Sequence, residues 1–262
     1  MSIPRPAIHA HRGGSGLAPE NTMQAFEAAL ALGVHWIELD VQTCATGELV
    51  VIHEPDLQRL GGVAKPVAAL PLAELQSIDV GSHFAPAFAG ARVPTLVEVL
   101  ETFAGRVGLH VEVKEYGIRG DGTARSVASL LERMDLGERL LVSSYNVFSL
   151  ARIRRACPRL PLGLVYPPSG GEPGVRRSLR DAVFGEPRAA RWLHPRALVP
   201  GSQAVSRASV ERAHAAGFEV HAGVVNDREW IRELAALGVD GVITDRPDVA
   251  LEVLSSPTST DR

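Results

Sequence analysis

One local pattern restricts the fold of this chain more than any other: a helix-like segment, then a glycine, then at once an apolar, β-rich run. It occurs at Gly33, Gly217 and Gly238. Glycine readily takes the left-handed conformation that ends a helix, so the next strand can begin without a long linker. Helices that alternate with strands through short connections favour a parallel sheet covered by helices. The chain is therefore predicted to be an α/β protein.

The candidate strands agree in number with a closed barrel. The apolar runs that qualify lie at residues 7–11, 36–41, 49–52, 109–114, 139–144, 162–166, 192–199, 218–225 and 241–244. A (β/α)8 TIM barrel has eight strand positions, so one of these nine runs is surplus. The connection over residues 42–48 is too short for a crossover helix. Residues 49–52 are therefore the best candidate for the surplus run, as a hairpin arm at the barrel mouth.

Helix starts are predicted from capping residues. Asn21 precedes an apolar pattern of helical period, and Gln24 completes the spacing of a capping box. The other predicted starts are the N-cap candidates Asn146 and Asp227 and the first-turn prolines Pro71 and Pro94.

Length and composition indicate one domain. The 262 residues show no composition break, which fits a single α/β domain over residues 1–262. Residues 54–93, rich in glycine and proline, are predicted to form a small insertion or lid after the second histidine motif. Residues 166–174 are predicted to be a loop.

Charge and cysteine content exclude several classes of protein. The chain has 27 Lys and Arg against 30 Asp and Glu, a net charge of −3, which provides no basic footprint for nucleic acid. Its two cysteines give neither a disulfide framework nor a metal-binding spacing. No apolar run approaches the roughly 18 residues of a membrane span, and no signal peptide is recognisable. We therefore expect a soluble cytoplasmic protein with no nucleic-acid partner and no stable membrane anchor. Its oligomeric state stays open.

Three candidate strands carry charged or polar residues where a barrel strand should be apolar. The runs are Ile8-His9-Ala10-His11, Ile37-Glu38-Leu39-Asp40 and Val111-Glu112-Val113-Lys114. Because side chains alternate across a strand, each polar pair shares one face and the apolar residues take the other. Acidic and basic groups are rarely buried unless they are paired or bind a metal. These runs therefore indicate a functional site inside the barrel.

The active site of a TIM barrel lies at the carboxyl ends of its strands. The residues expected to gather at that mouth are His11, Glu38, Asp40, Glu112 and Lys114. Three carboxylates with no cysteine nearby form an oxygen-rich site, which suits one divalent cation, Mg²⁺ or Ca²⁺. The alternative is a network of salt bridges in which Lys114, Arg12 and Arg59 neutralise the carboxylates without a cation.

Histidine can take and give a proton near neutral pH, which makes His11 and His53 the candidates for acid–base catalysis. A rival interpretation treats His9 and His11 as a zinc-binding His-x-His pair, but it leaves the three carboxylates unexplained. His9 is therefore predicted to be a residue of the core or one that supports the site.

Two cations accompany these histidines. Arg12 and Lys114 are suited to the oxygens of a phosphate group. Gly13 and Gly14 follow Arg12, and glycines allow backbone amides to approach an anion closely. The predicted substrate therefore carries a phosphate.

The ordered motifs of the chain resemble the glycerophosphodiester phosphodiesterase family, in its bacterial cytoplasmic form. They are His11-Arg12-Gly13, Pro19-Glu20-Asn21-Thr22, Ile37-Glu38-Leu39-Asp40-Val41, Val50-Val51-Ile52-His53, Val111-Glu112-Val113-Lys114 and the closing run from Gly238 to Pro247. The resemblance implies a TIM barrel that hydrolyses a small-molecule glycerophosphodiester to glycerol 3-phosphate and an alcohol. It also implies a divalent cation on Glu38, Asp40 and Glu112, catalysis by His11 and His53, and phosphate contacts from Arg12 and Lys114.

Two departures from the family pattern concern the pocket. Glu54 follows His53 where the family commonly has Asp, and Gly223 stands where the family usually has Trp. An aromatic wall is therefore missing from the late strand, which leaves room for a longer substrate. Two alternatives stay open: a lysophospholipase D-type enzyme that acts on a longer lipid, and a catalytically silent binding protein.

Overall fold

Eight parallel strands close into a barrel. The computed structural model describes residues 6–134, 136–165, 190 and 192–255, so the loop predicted at 166–174 lies outside the described residues. The strands are β1 (Ala7–Ala10), β2 (Trp36–Thr43), β3 (Leu49–Val51), β4 (Asp56–Leu57), β5 (Val63–Pro66), β6 (Gly108–Val113), β7 (Leu140–Ser144), β8 (Leu162–Val165), β9 (Ala197–Val199), β10 (Glu219–Gly223) and β11 (Gly241–Thr244). The ring runs β1-β2-β6-β7-β8-β9-β10-β11 and closes where β11 pairs with β1. The predicted TIM barrel is confirmed.

The ninth candidate strand, residues 49–52, lies outside the ring of eight, as the short connection over residues 42–48 indicated. β3 pairs antiparallel with β2, with Val41 opposite Val51, and it forms a hairpin arm beside the barrel. The predicted strand at 192–199 was wrong at its start, because only Ala197–Val199 is extended, and Trp192 and Leu193 are helical. His194 has a positive φ of 45°, and Pro195 cannot donate to a strand ladder, so extended pairing begins only after both.

Helices cover the outside of the barrel. In the described part of the chain the α-helices are Met23–Leu32, Gln58–Gly61, Leu72–Ser77, Leu96–Phe103, Thr123–Glu132, Val147–Ala156, Arg207–Ala215, Arg228–Leu237 and Pro247–Ser255. The N-caps predicted at Asn146 and Asp227 are confirmed, since each side chain accepts a hydrogen bond from a backbone amide of the first turn. The cap predicted at Asn21 was wrong. Thr22 caps that helix through the amide of Ala25, and Asn21 turns towards the barrel mouth.

The segment 54–93 has a small hydrophobic core of its own. It contains the β4–β5 hairpin, two short α-helices and two 3-10 turns, and it packs against Val50 and Ile52 near the hairpin arm. Its buried leucines are Leu57, Leu60, Leu70 and Leu75. Burial of each contributes about 1.5–3 kcal/mol, enough to hold a short irregular segment against the barrel.

None of the helices that the structure describes is both long enough and apolar enough to cross a membrane.

Candidate active site

Three carboxylates meet inside the barrel mouth. Glu38 and Asp40 lie on β2, and Glu112 lies on the adjacent β6 with Asp40 directly opposite in register. One oxygen from each can be chosen so that all three lie within 4.8 Å of one another. Glu38 and Asp40 are almost fully buried. The alternation of side chains along two parallel strands brings these predicted ligands together.

The charges of these carboxylates are strongly coupled. Burial, followed by the charge of Asp40, raises the pKa of Glu38 to about 8. Burial would also raise the pKa of Asp40, but Lys114 and then Arg12 outweigh it and hold that pKa well below its ordinary value. An all-oxygen donor set with two buried like charges fits a hard divalent cation, which offsets their repulsion.

Both predicted phosphate-binding cations contact the same carboxylates. The Lys114 Nζ lies 3.0 Å from an Asp40 oxygen and 2.7 Å from Glu112 Oε1. Arg12 Nε lies 3.3 Å from Asp40 Oδ2, and Arg12 Nη1 donates to Glu20 Oε1 at 2.7 Å. The salt bridges from Lys114 and Arg12 that the alternative interpretation proposed are therefore present. Asp40 and Glu112, two of the three predicted metal ligands, are thus also ion-pair partners.

A tight turn after β1 places Arg12. Residues His11–Gly13 form a single 3-10 turn in which Arg12 has a positive φ of 51°. Its backbone amide donates to Glu38 Oε2 at 2.8 Å. Gly13 is required there, because a Cβ atom would lie 2.7 Å from the ring of Phe26.

His11 is held by a carboxylate from the other end of the chain. Its Nδ1 lies 2.6 Å from Asp245 Oδ1, and its Nε2 lies 4.0 Å from Glu38 Oε2. Burial lowers the pKa of His11, but the hydrogen bond to Asp245 and the charge of Glu38 outweigh it, so the pKa is raised. Asp245 is itself fixed by Asn226 Nδ2 at 2.7 Å and by the Ser15 hydroxyl.

Asp245 had no predicted role in the site. Its position in the sequence could have indicated a role, because Asp245 directly follows β11, at the barrel end where the other site residues lie. Asn226 follows β10 in a similar way.

His53 lies in a more open position across the mouth. Its Nδ1 is 3.4 Å from Glu54 Oε1, and its side chain is 30% exposed. Burial lowers the pKa of His53, although the charge of Asp40 opposes the shift. Gln42 was missed from the sequence: its amide donates to the carbonyls of Ile52, His53 and Glu54 at 2.7–3.1 Å and so fixes the backbone that carries the histidine.

A chain of ion pairs links the segment 54–93 to the site. Arg59 donates to both oxygens of Glu20 and to Glu54 Oε1, at 2.7–3.0 Å. Glu20 also binds Arg12, so the ion pairs run from Asp40 through Arg12, Glu20 and Arg59 to Glu54 beside His53. Arg59 is thus an ion-pair partner of Glu54, the residue that stands where the family commonly has Asp.

Asn21 supports Asp40, one of the three predicted metal ligands. Its Nδ2 donates to Asp40 Oδ2 at 2.9 Å, and its Oδ1 accepts from the Asp40 amide at 3.2 Å. These bonds orient the carboxylate, which explains why a residue that looked like a helix cap faces the barrel mouth instead.

His9 takes no part in a converging metal site. It is fully buried below His11, stacked on Trp36 with ring centroids 5.2 Å apart and packed near His110 and His221. Among the residues that the structure describes, the three carboxylates are the group of potential metal ligands that converges, and no histidine belongs to it. The zinc-pair interpretation is therefore not supported.

Comparisons with known proteins agree with this geometry. The model of the glycerophosphoryl diester phosphodiesterase family matches residues 11–249. A glycerophosphodiester phosphodiesterase of Caldanaerobacter subterraneus is 32% identical over 250 residues, which cover 94% of this chain and 97% of that protein. One of Bacillus altitudinis is 32% identical over 248 residues, with the same coverage.

Solved structures show the same fold. The crystal structure of a glycerophosphodiester phosphodiesterase from Agrobacterium tumefaciens has a TM-score of 0.79 at 27% identity, over 94% of this chain and 99% of that one. A phosphodiesterase of Oleispira antarctica, solved with the product sn-glycerol-3-phosphate, has a TM-score of 0.80 at 26% identity, over 96% and 98% of the two chains.

Proposed function

The chain belongs to the glycerophosphoryl diester phosphodiesterase family and is an enzyme of that class, and on this premise we propose how its own residues hydrolyse the phosphodiester. The substrate is a small-molecule glycerophosphodiester, and the products are glycerol 3-phosphate and an alcohol. The relative solved with glycerol 3-phosphate as its product supports this assignment. The converging carboxylates Glu38, Asp40 and Glu112 carry the proposal.

These three carboxylates would hold one divalent cation, Mg²⁺ or Ca²⁺. When bound, such a cation neutralises charge on a phosphate oxygen and lowers the pKa of a coordinated hydroxyl. Asn21 fixes one oxygen of Asp40, and the amide of Arg12 fixes one oxygen of Glu38. The protein thereby orients two of the three ligands before any cation binds.

His11 and His53 move the protons. Each ring has a carboxylate beside its Nδ1, Asp245 for His11 and Glu54 for His53, so Nε2 is the nitrogen that can exchange a proton with substrate. One histidine removes the proton from the attacking hydroxyl, and the other protonates the departing alcohol oxygen. Two routes satisfy this scheme. In the first, the neighbouring glycerol hydroxyl attacks and forms a cyclic phosphate, which water then opens to glycerol 3-phosphate with the roles of the histidines reversed. In the second, water attacks the phosphorus directly and gives up its proton in place of the hydroxyl. Rapid-quench trapping of a cyclic phosphate selects the first route.

Arg12 and Lys114 bind the phosphate oxygens that face them. Lys114 has three N–H donors and Arg12 has five, more than their observed carboxylate contacts use. Both can therefore contact an added phosphate without losing Asp40. Their positive charge also offsets the negative charge that develops on the phosphate during attack.

Domain organisation and cellular compartment are part of the proposal. We assign residues 1–262 to one domain, with 54–93 as an insertion tied to the mouth through Arg59. Cys44 and Cys157 are buried free thiols, in keeping with a reducing cytoplasmic compartment.

Release of glycerol 3-phosphate from glycerophosphocholine and glycerophosphoethanolamine tests the proposal. EDTA should abolish turnover, and Mg²⁺ or Ca²⁺ should restore it. Calorimetric titration of the cation into Glu112→Gln should show loss of binding, whereas the exposed control Glu101→Gln should bind like the parent protein. Turnover that survives EDTA, or unaltered cation binding by Glu112→Gln, would contradict the assignment.

A further inference from the structure

One arginine of the segment 54–93 joins two carboxylates that come from different parts of the chain. Arg59 donates from Nη1 to Glu20 Oε2 at 2.8 Å and from Nη2 to Glu20 Oε1 at 2.7 Å, so guanidinium and carboxylate pair at two points. Its Nε and Nη2 also donate to Glu54 Oε1, at 3.0 and 2.8 Å. Four of the five N–H groups of this side chain are therefore directed at two glutamates.

Each of these glutamates also contacts a residue with a proposed role in the reaction. Glu54 Oε1, the atom that binds Arg59, lies 3.4 Å from Nδ1 of His53. Glu20 Oε1 accepts a hydrogen bond from Arg12 Nη1 at 2.7 Å, and Arg12 is one of the two cations proposed to bind the phosphate. The same carboxylate oxygens therefore contact both Arg59 and the side chains that would meet the substrate.

The backbones of Arg59 and Glu54 are fixed independently of their ion pair. The helix Gln58–Gly61, which carries Arg59, is anchored by Leu60, a residue buried in the small core of the same segment. The carbonyl of Glu54 accepts a hydrogen bond from Gln42 Nε2 at 2.7 Å. With both backbones held, the ion pair decides where the carboxylate of Glu54 lies.

An exposed ion pair contributes little on its own, but a bidentate contact within a network is stronger. The pairing of Arg59 with Glu20 is bidentate, and the Glu20 side chain is only 11% exposed. A single nitrogen, Nη2, contacts both glutamates, so Arg59 also offsets the repulsion between two like charges. Removal of Arg59 would free the Glu54 carboxylate, 28% exposed, to turn into solvent. Glu20 would lose one of the two guanidinium groups that orient it.

We propose that Arg59 is a positioning residue for the phosphodiester hydrolysis: through Glu54 it orients the ring of His53, and through Glu20 it orients the guanidinium of Arg12. The inference rests on the proposed function and adds to it a residue that acts through other side chains. It also gives the segment 54–93 a role in the reaction. Proton transfer by His53 should appear mainly in kcat and phosphate binding by Arg12 mainly in KM, so the two contacts can be measured separately.

Arg59→Met tests the proposal in the full chain, with glycerophosphocholine as the substrate. The expected kcat falls on the order of tenfold, since loss of an outer hydrogen-bond partner typically costs 10–100-fold. The expected KM rises about threefold, because Arg12 is less well oriented for the phosphate. Lys65→Met removes a 2.7 Å ion pair with Glu74 from the same segment and should leave both constants unchanged. Equal effects of the two variants would overturn the proposal in favour of a general role of the segment in folding.

Double-mutant cycles assign each effect to its contact. In a Glu54→Ala background the effect of Arg59→Met on kcat should disappear while its effect on KM remains, and in Glu20→Ala the reverse should hold. Effects that persist in full in both backgrounds overturn the proposal, because Arg59 would then act by another route. Arg59→Lys keeps the charge without the planar fork and should recover only part of the activity. Full recovery by lysine would show that charge alone suffices and that orientation does not matter.

Nitrogen NMR of protein with isotope-labelled histidine provides a readout that does not need turnover. Long-range nitrogen–proton spectra report which ring nitrogen of His53 carries the proton, and His53→Ala assigns the signals. A carboxylate beside Nδ1 favours the tautomer protonated there. At about pH 8, where an ordinary histidine is neutral, the parent and Lys65→Met should show that tautomer. Arg59→Met and Arg59→Lys should show a mixture of both tautomers, and a spectrum identical to that of the parent overturns the inference.

The two levels of failure are separable. If the parent hydrolyses glycerophosphocholine and Arg59→Met matches it in kcat, KM and the His53 tautomer, the proposed function stands and the positioning role is wrong. If the parent hydrolyses no glycerophosphodiester but Arg59→Met still changes the His53 tautomer, the positioning of the ring by Arg59 stands and the proposed function is wrong.

Discussion

His9 lies on β1 and His11 follows it in the turn after that strand, only two residues later, yet their pKa values shift in opposite directions. His11 has Asp245 and Glu38 as neighbours, and its pKa is raised. His9 has neighbouring histidines and no hydrogen-bond partner for either ring nitrogen, and burial lowers its pKa well below the ordinary value. The difference shows that neighbours decide the behaviour of one side-chain type: the carboxylates beside His11 favour its protonated form, and burial among other histidines favours the neutral form of His9.

The mouth of the barrel and the layer of side chains below it differ in how they satisfy polar groups. In the mouth layer each buried charge faces an opposite charge, as Asp40 faces Lys114 at 3.0 Å. In the lower layer the imidazole of His9 packs against Trp36, His110 and His221, and each of the three histidines has at least one buried nitrogen without a hydrogen-bond partner. Charge is therefore concentrated where a cation and a phosphate can enter, which is where catalysis needs it.

The largest effect is expected from removing a carboxylate of the mouth layer. Glu38→Gln and Glu112→Gln should each lower kcat by about 10³-fold or more, because a bound cation contributes several kcal/mol of charge stabilisation. Glycerol 3-phosphate release at saturating Mg²⁺ measures this, with Glu101→Gln as the control. Loss of less than tenfold in either variant would mean that the carboxylates serve ion pairing alone.

The two histidines of the mouth should come next. His11→Ala and His53→Ala are each expected to lower kcat at least 100-fold with the fold intact, since acid–base catalysis typically contributes ~10²–10⁴-fold. Steady-state kinetics together with circular dichroism provides the measurement, and the exposed His83→Ala provides the control. A decrease below tenfold would exclude the histidine concerned from proton transfer.

A smaller effect should follow from removing the carboxylate that holds His11 while the histidine itself remains. Asp245→Asn is expected to lower kcat about 10–100-fold with little change in KM, because the carboxylate orients the ring and does not reach the substrate. Asp245→Glu should recover part of the loss, and Asp248→Asn, which alters a surface ion pair with Arg246, should behave like the parent. An equal change in KM would argue for a general structural defect instead.

Substitutions in the lower histidine layer should change the free energy of unfolding at acidic pH more than they change catalytic activity. Burial, followed by the charge of His221, lowers the pKa of His110 to about 3, against about 6.5 in the unfolded chain. The unfolded state therefore binds the proton more readily, so the stabilisation is complete above pH 6.5 and is lost as the pH falls towards 3. Between pH 7 and pH 5, His110 alone should lower the free energy of unfolding by about 2 kcal/mol.

Urea unfolding at the two pH values measures that loss. His110→Asn should remove about 2 kcal/mol of the pH dependence and leave kcat at pH 7.5 within about threefold. The exposed His214→Asn should keep the full dependence. An unchanged slope in His110→Asn would show that His110 is not the group that titrates on unfolding.

Much of the barrel and its acidic centre could be predicted from the sequence. The alternation of Glu38 with Leu39 and of Glu112 with Val113 already assigns each carboxylate to a face, because side chains on a strand alternate. The short link between residues 42 and 48 excluded a crossover, and β3 is indeed a hairpin arm. These features depend on neighbours in the chain, which a sequence shows directly.

The partners of those residues were decided only by barrel closure. His11 and Asp245 are 234 positions apart in the sequence, and they meet because β1 pairs with β11. Asn21 had the sequence signature of a helix cap and became a support of Asp40 instead. No local period encodes such contacts, because they depend on which strand ends the closed sheet brings to one mouth. The sequence by itself determined which residues are candidates for the chemistry, and the tertiary structure determined how they are oriented, paired and surrounded.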